Sequence, residues 1–162
     1  MKKLLMVCAI VLLFGVGNAL AQPTYRAAEA GTKNFVSEIT IDVDSQISLD
    51  IYLSNVTAPQ QAGGVWIDFS ASASIISYVS AGRAVTDGSE GVTGPWLPGV
   101  GSLVNEPIGP GTMIIQVANL GGAAPDGDGD LIVANLTLQC TAAGDATIPL
   151  DVTDLISIYT HY

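Results

Sequence analysis

Residues 47–54 read Ile47-Ser48-Leu49-Asp50-Ile51-Tyr52-Leu53-Ser54, an aliphatic residue at every second position. Successive side chains of an extended strand leave on opposite faces. This period of two therefore commits Ile47, Leu49, Ile51 and Leu53 to a buried face and Ser48, Asp50, Tyr52 and Ser54 to the outer one. The same alternation precedes this stretch, where Ile39, Ile41 and Val43 are set among Glu38, Thr40 and Asp42. It follows again in Val65, Ile67 and Phe69, with Trp66 and Asp68 on the outer side. Further strands are expected over 74–81, 112–119, 131–140, 146–152 and 155–160, and no stretch sustains a helical stripe. Short strands separated by Gly, Pro, Asn and Asp clusters predict an all-β chain, an antiparallel β-sandwich with jelly-roll or Greek-key topology.

The N-terminus has a different chemistry. Lys2 and Lys3 precede an apolar run from Leu4 to Val16, and Ala19-Leu20-Ala21 offers the small-residue pattern at which secretory signals are cut. The run falls short of the roughly 18–20 apolar residues that a spanning helix needs, so a cleaved signal peptide is expected over 1–21 and no membrane insertion after cleavage. A flexible leader over 22–34 and one sandwich domain over 35–162 complete the expected organisation. Export would place the protein outside the cell, at the cell surface or in a periplasm. Removing 21 residues from 162 leaves 141, and the loss of Lys2 and Lys3 takes the formal charge from −10 to −12. A chain so acidic has no basic stripe to neutralise phosphates, which excludes electrostatic binding of nucleic acid and of anionic membrane surfaces. Cys8 leaves with the signal and only Cys140 remains, so an internal disulfide is excluded. Ile132, Ala134, Leu136, Leu138 and Cys140 share one strand face, which makes Cys140 a core residue in this reading.

Catalytic side chains are scarce. His161 is the one histidine and stands next to the last residue, so a nucleophile–histidine–acid arrangement would have no ordered base. Glu90, Glu106 and Asp68 are the acids nearest to a glycosidase-like pair, yet no spacing singles out two of them, and the chain is read as no enzyme. Asp126, Asp128 and Asp130 alternate in a Gly-rich turn and are weak calcium-ligand candidates. Their run lacks the glycine at the sixth position and the glutamate at the twelfth that an EF-hand requires, and Leu131 and Thr137 stand there instead. A solvated hairpin connection without a cofactor is the reading adopted, with a looser calcium site as the alternative. Gly82 to Gly111 forms a long Gly- and Pro-rich connection around Trp96, and loops of that length are typically functional or disordered.

From residue 62 onward the order of motifs resembles a family. Ala62-Gly63-Gly64-Val65-Trp66-Ile67-Asp68-Phe69 is followed by Ile76-Ser77-Tyr78-Val79-Ser80-Ala81-Gly82. An Asn119-centred strand end and a Gly-Asp turn then lead into Asp130-Leu131-Ile132-Val133-Ala134-Asn135-Leu136-Thr137-Leu138 and Ala143-Gly144-Asp145-Ala146-Thr147-Ile148-Pro149-Leu150. Over roughly residues 35–152 the chain resembles a cohesin domain, the jelly-roll module of the carbohydrate-binding-domain superfamily. It departs from the family at Ala71-Ser72-Ala73-Ser74, where cohesins carry a Tyr-Asp-Pro-like turn. The closing strand is either 155–160 or missing. The resemblance implies a secreted, non-catalytic module that binds a protein, dockerin-like or surface-borne, through one sheet face. A carbohydrate-binding module is the alternative, and its polysaccharide would need rings in a row, for which Trp66, Tyr52 and Trp96 are available. Strand alternation turns Trp66 and Asp68 away from the core, so recognition is expected there together with the Gly82 to Gly111 loop, with Tyr52 and Trp96 as further binding residues.

Overall fold

A computed structural model describes residues 23–99, 103–104, 111–146, 148 and 150–151. Among the described residues ten strands run in chain order: β1 (Thr24–Glu29), β2 (Phe35–Val36), β3 (Gln46–Ser54), β4 (Gln60–Asp68), β5 (Ile76–Val85), β6 (Val92–Thr93), β7 (Leu103–Val104), β8 (Thr112–Ala123), β9 (Leu131–Cys140) and β10 (Leu150–Asp151). They form a six-stranded sheet ordered β2-β1-β3-β9-β5-β6 and a four-stranded sheet ordered β10-β4-β8-β7. Every pairing is antiparallel except β5 with β6. The expected β-sandwich is the fold observed, with one 3-10 turn at Ser70–Ser72 as the sole helical element among the described residues. No helix among them is long and apolar enough to cross a membrane.

The core forms where the inward residues of the two sheets meet. Leu49, Ile51, Leu53, Leu131, Val133, Leu136 and Leu138 come from the larger sheet, and Val65, Ile67, Met113, Ile115 and Val117 from the smaller. The alternation of β3, β4 and β8 sets these faces as the sequence predicts. In β9 it breaks. Ile51 stands opposite Ala134 but Tyr52 opposite Ile132, so Val133 is one residue too many for the ladder. This bulge turns Leu131 and Val133 into the core on one side of it and Ala134, Leu136, Leu138 and Cys140 on the other, leaving Ile132 half-buried. Cys140 is buried as expected, and its thiol faces the Ala142 carbonyl at 3.3 Å.

Two expectations at the N-terminal end are corrected. Residues 22–34 are no loose leader, because Thr24–Glu29 is strand β1, paired along its whole length with β3. Its apolar signal is weak, since Ala27 and Ala28 carry little side chain, and the ladder with β3 decides its conformation. Tyr25 points inward, 7% exposed, and its hydroxyl crosses the sandwich to donate to the Gly64 carbonyl of β4. Residues 39–43 alternate correctly and yet are no strand. With β1 on one edge of β3 and β9 on the other, the ladder has no place for them. They end instead in a turn, where Ser45 N–H donates to Asp42 O at 3.1 Å and Asp44 takes φ 67°. Within the expected strand 146–152 the described pairing is Leu150–Asp151 against β4. The signal over 1–21 and a strand over 155–160 lie outside the described residues.

The connection after β5 is folded into the sandwich. Trp96 is fully buried, its N–H donates to Ala84 O at 3.1 Å, its carbonyl accepts from Thr86 N–H at 2.7 Å, and its indole Nε1 donates to Ile132 O at 2.7 Å. A Cβ on Gly63 of β4 would lie 3.7 Å from the indole ring, so the ring reaches the second sheet as well. The approach of this segment to β5 is too close for any side chain at Gly94, where a Cβ would stand 2.3 Å from Ala84 O. Replacing Trp96 with Ala is expected to cost about 3–5 kcal/mol, the range for a buried aromatic. Tyr25→Phe, which removes one hydrogen bond and little volume, is expected to cost about 1 kcal/mol, and urea unfolding of the two variants measures the contrast.

Candidate functional site

Trp66 and Asp68 project from β4 onto the outer face of the four-stranded sheet. Val65 and Ile67, fully buried and alternating with them, fix that direction. Both outward residues are half-buried. The register sets Trp66 opposite Ile114 of β8 and Asp68 opposite Thr112, with Gly64 opposite Gln116 and Ala62 opposite Ala118. Small residues at 62 and 64 keep the face low beside the indole. Asp68 Oδ1 accepts the Ser70 N–H at 2.9 Å and lies 3.4 Å from the Thr112 hydroxyl. Its hydrogen bonds from Ser70, aided by Thr112, hold the carboxyl below its usual range, so it carries full charge at neutral pH.

The structure does not bring the other two expected rings to this face. Trp96, expected as a binding residue in the long loop, is a core residue, because its ring reaches both sheets and its indole N–H is satisfied by Ile132 O. Tyr52 lies on β3, in the other sheet, and its outer face points away from that of β4. There the Tyr52 ring meets Phe35 edge-on at 5.4 Å, Arg26 stacks 3.5 Å above the Phe35 centroid, and the Tyr52 hydroxyl lies 3.4 Å from Thr32 O. No two of the three rings share a face, so the row that a sugar-stacking platform requires is absent from them.

The acidic turn holds a partner that sequence spacing did not suggest. Lys33, in the turn between β1 and β2, places Nζ 2.7 Å from Asp126 Oδ2, 2.9 Å from Asp128 Oδ2 and 2.9 Å from Asp130 Oδ2. Ligand atoms of these three carboxylates lie within 4.8 Å of one another. Asp126 Oδ1 also accepts the N–H groups of Asp128 at 3.0 Å and Asp130 at 3.1 Å, which shapes the turn. The ammonium stands where a metal ion would have to stand. Hydrogen bonds to Asp126, Asp130 and Asp128 raise the Lys33 pKa, and the Lys33 hydrogen bond in turn holds Asp126 below the carboxylate range. A separation of 93 residues between Lys33 and Asp126 kept this cluster out of any sequence motif.

Of the acids that could have formed a catalytic pair, Glu90 is bound to the buried Arg83. The Arg83 Nε donates to Glu90 Oε2 at 2.8 Å and its N–H to the same oxygen at 3.1 Å, while a terminal guanidinium nitrogen pairs with Oε1. This pairing lowers the Glu90 pKa. Neither Asp68 nor Glu90 thus has the raised pKa of a general acid. Glu106 lies outside the described residues.

This arrangement of strands is that of a known class. The chain is similar, with a TM-score of 0.52 and 17% identity over 70% of this chain and 77% of the other, to a chain in the crystal structure of a CaDoc0917–CaCohA2 complex at pH 5.5. It is also similar to the solution structure of CaCohA2 from Clostridium acetobutylicum, at 17% identity and a TM-score of 0.46 over 71% of this chain and 70% of that one. No protein-family model and no curated protein sequence matches the chain. The fold is therefore a cohesin-like β-sandwich, a likeness of structure at low sequence identity.

Because Lys33 lowers the Asp126 pKa, the stability this pair contributes is present above the unfolded carboxylate pKa, about 3.9, and is lost as pH falls through the lower folded value. Lys33→Met is expected to lower the unfolding midpoint at pH 7 and to lose less on acidification than the parent, as read by thermal scans from pH 7 to pH 2. With Lys33 in place, exchanging calcium for a chelator is expected to leave the midpoint nearly unmoved, whereas a site held at 100 times its Kd would add about 2.7 kcal/mol.

Proposed function

We propose that this chain is an exported, non-catalytic module that binds a protein partner through the outer face of the four-stranded sheet, around Trp66 and Asp68. The observation that carries this reading is the presentation of Trp66. A large ring, half-exposed on a rigid central strand, is flanked by an aliphatic neighbour and an ionised carboxylate, and binding energy in protein interfaces concentrates in such residues. The likeness of fold to a chain crystallised within a two-protein complex supports a protein as the partner class, and a dockerin-like or surface-borne partner suits it. The division of Trp66, Tyr52 and Trp96 among two faces and the core weighs against the polysaccharide reading. The pairing of Glu90 with Arg83 and the low pKa of Asp68 support a module without catalysis. Export rests on the Lys2-Lys3 and Leu4–Val16 pattern.

Surface plasmon resonance of the mature chain against dockerin-type modules and against soluble polysaccharides tests this. Saturable binding to a protein module is expected, weakened tenfold or more by Trp66→Ala while the unfolding midpoint holds. Polysaccharide binding lost with the same substitution would instead establish the glycan reading, and protein binding indifferent to Trp66 would remove the site. N-terminal sequencing of the exported protein is expected to begin at Gln22, and an intact Met1 on a membrane-bound product contradicts cleavage.

A further inference from the structure

β8 leaves its ladder with β4 at one place, and the departure carries an apolar side chain into solvent. Ala62 stands opposite Ala118 and Gln60 opposite Ala123, so residues 119–122 bulge from the sheet. Leu120, inside this bulge, is 79% exposed, against 46% for Val43 and 39% for Val79. The backbone beneath it is braced from three sides. Asn119 Nδ2 donates to Pro95 O at 2.6 Å while its Oδ1 accepts the Gly121 N–H at 3.0 Å. Leu97 N–H donates to Ala118 O at 3.0 Å, and Gln61 Nε2 reaches Leu120 O at 3.4 Å. Gly122 turns the chain back at φ +83°, where a Cβ would press to 3.0 Å against Pro59.

Single exposed leucines are ordinary on protein surfaces. This one differs because its backbone is already ordered in the free protein, which lowers the entropy lost when a partner immobilises it. Bulges commonly re-aim a side chain beside a functional site. At about 3.4 Å per residue along the regular ladder, Ala118 at the base of the bulge lies roughly 14 Å from the Trp66–Ile114 pair and about 20 Å from Asp68 opposite Thr112, and Leu120 stands just beyond it. Such a span suits a protein interface of ordinary size. The charge along it has one sign. Its two central strands, β4 and β8, carry Asp68 and no Lys or Arg.

We propose that Leu120 is a specificity anchor at the far end of the docking face, received by an apolar recess in a partner protein whose Lys or Arg meets Asp68 at the near end. This rests on the reading of the four-stranded sheet as the docking face and adds what the partner must offer. The cation end would steer and orient encounter, and the recess would discriminate among partners of similar charge, since an apolar knob gains nothing from a polar or filled surface.

Photocrosslinking from the mature chain in its native secretion mixture tests the assignment, with benzoylphenylalanine replacing Leu120 in one variant and Trp66 in a second. Both positions are expected to crosslink to the same polypeptide, at a segment that pairs apolar residues with Lys or Arg. Asp68→Lys is expected to abolish both crosslinks. Leu120→Asp is expected to weaken binding of that purified polypeptide tenfold or more, and Leu120→Met to retain it. A crosslink from position 66 but not from 120, or affinity indifferent to Leu120→Asp, overturns the anchor and leaves the docking face standing. A crosslink from 120 to a second copy of this chain or to a glycan overturns it in favour of that occupant. Crosslinks from neither position overturn both readings.

Discussion

Trp96 joins the two layers of this sandwich, and the path of the chain around it follows from that contact. The indole donates its one proton to Ile132 O of β9 and lies against Gly63 of β4, so a residue from a connecting segment contacts both sheets. A buried indole without a hydrogen-bond acceptor would carry a desolvation penalty of about 1–3 kcal/mol, and the bulge at Val133 in β9 belongs to the stretch that supplies this acceptor. The glycine at 63 leaves room for the ring, and the glycine at 94 lets the connection approach Ala84 closely. Arg83 and Glu90 then hold the start of the connection against β5 with a part-buried, multiply bonded ion pair. Removing Arg83 would take from Glu90 the guanidinium that holds its carboxyl ionised.

A second set of contacts holds the N-terminal strand pair. Tyr25 crosses the core to Gly64, and burial raises its phenol pKa to about 12. On the outer side, the buried Asp50 carboxylate accepts the Gly31 N–H at 2.7 Å and the Asn135 amide at 3.0 Å, which draws the turn after β1 over β3 and β9. Lys33 extends from the same turn to the three aspartates. The Asp50 and Lys33 contacts lie on the outer side of the sheet, so they order the turn more than they stabilise the core between the sheets. They also use up one of the few cations in a strongly acidic chain.

The two outer faces consequently differ in kind. That of the six-stranded sheet is crossed by a covering turn and by the Arg26–Phe35–Tyr52 stack. That of the four-stranded sheet carries small residues beside one indole, and its central strands β4 and β8 bear the Asp68 carboxylate without a cation. A partly apolar surface whose two central strands carry a carboxylate and no cation is suited to a macromolecular partner of complementary charge.

The alternation in Ile47–Leu53, Val65–Phe69 and Leu131–Cys140 determined the fold class, the inward residues of β3 and β4 and the outward course of Trp66 and Asp68. Each of these is a local property, because a strand's side chains alternate whatever it pairs with. Cys140 was legible as core for the same reason. What the sequence could not decide depends on residues distant along the chain. Thr24–Glu29 became a strand because β3 had an open edge, and residues 39–43 did not because that edge was taken. Trp96 was read as a loop residue, and the gap between two sheets made it core. Asp126, Asp128 and Asp130 looked like a turn with spare carboxylates until Lys33, 93 residues from the first of them, supplied the charge. Leu120 stands just past the expected strand 112–119, and the mismatch of two steps in β4 against five in β8 lifts it into solvent. Period and composition fix which way a side chain leaves its own strand, while its neighbours, its burial and its counter-charge are fixed by the closure of the two sheets.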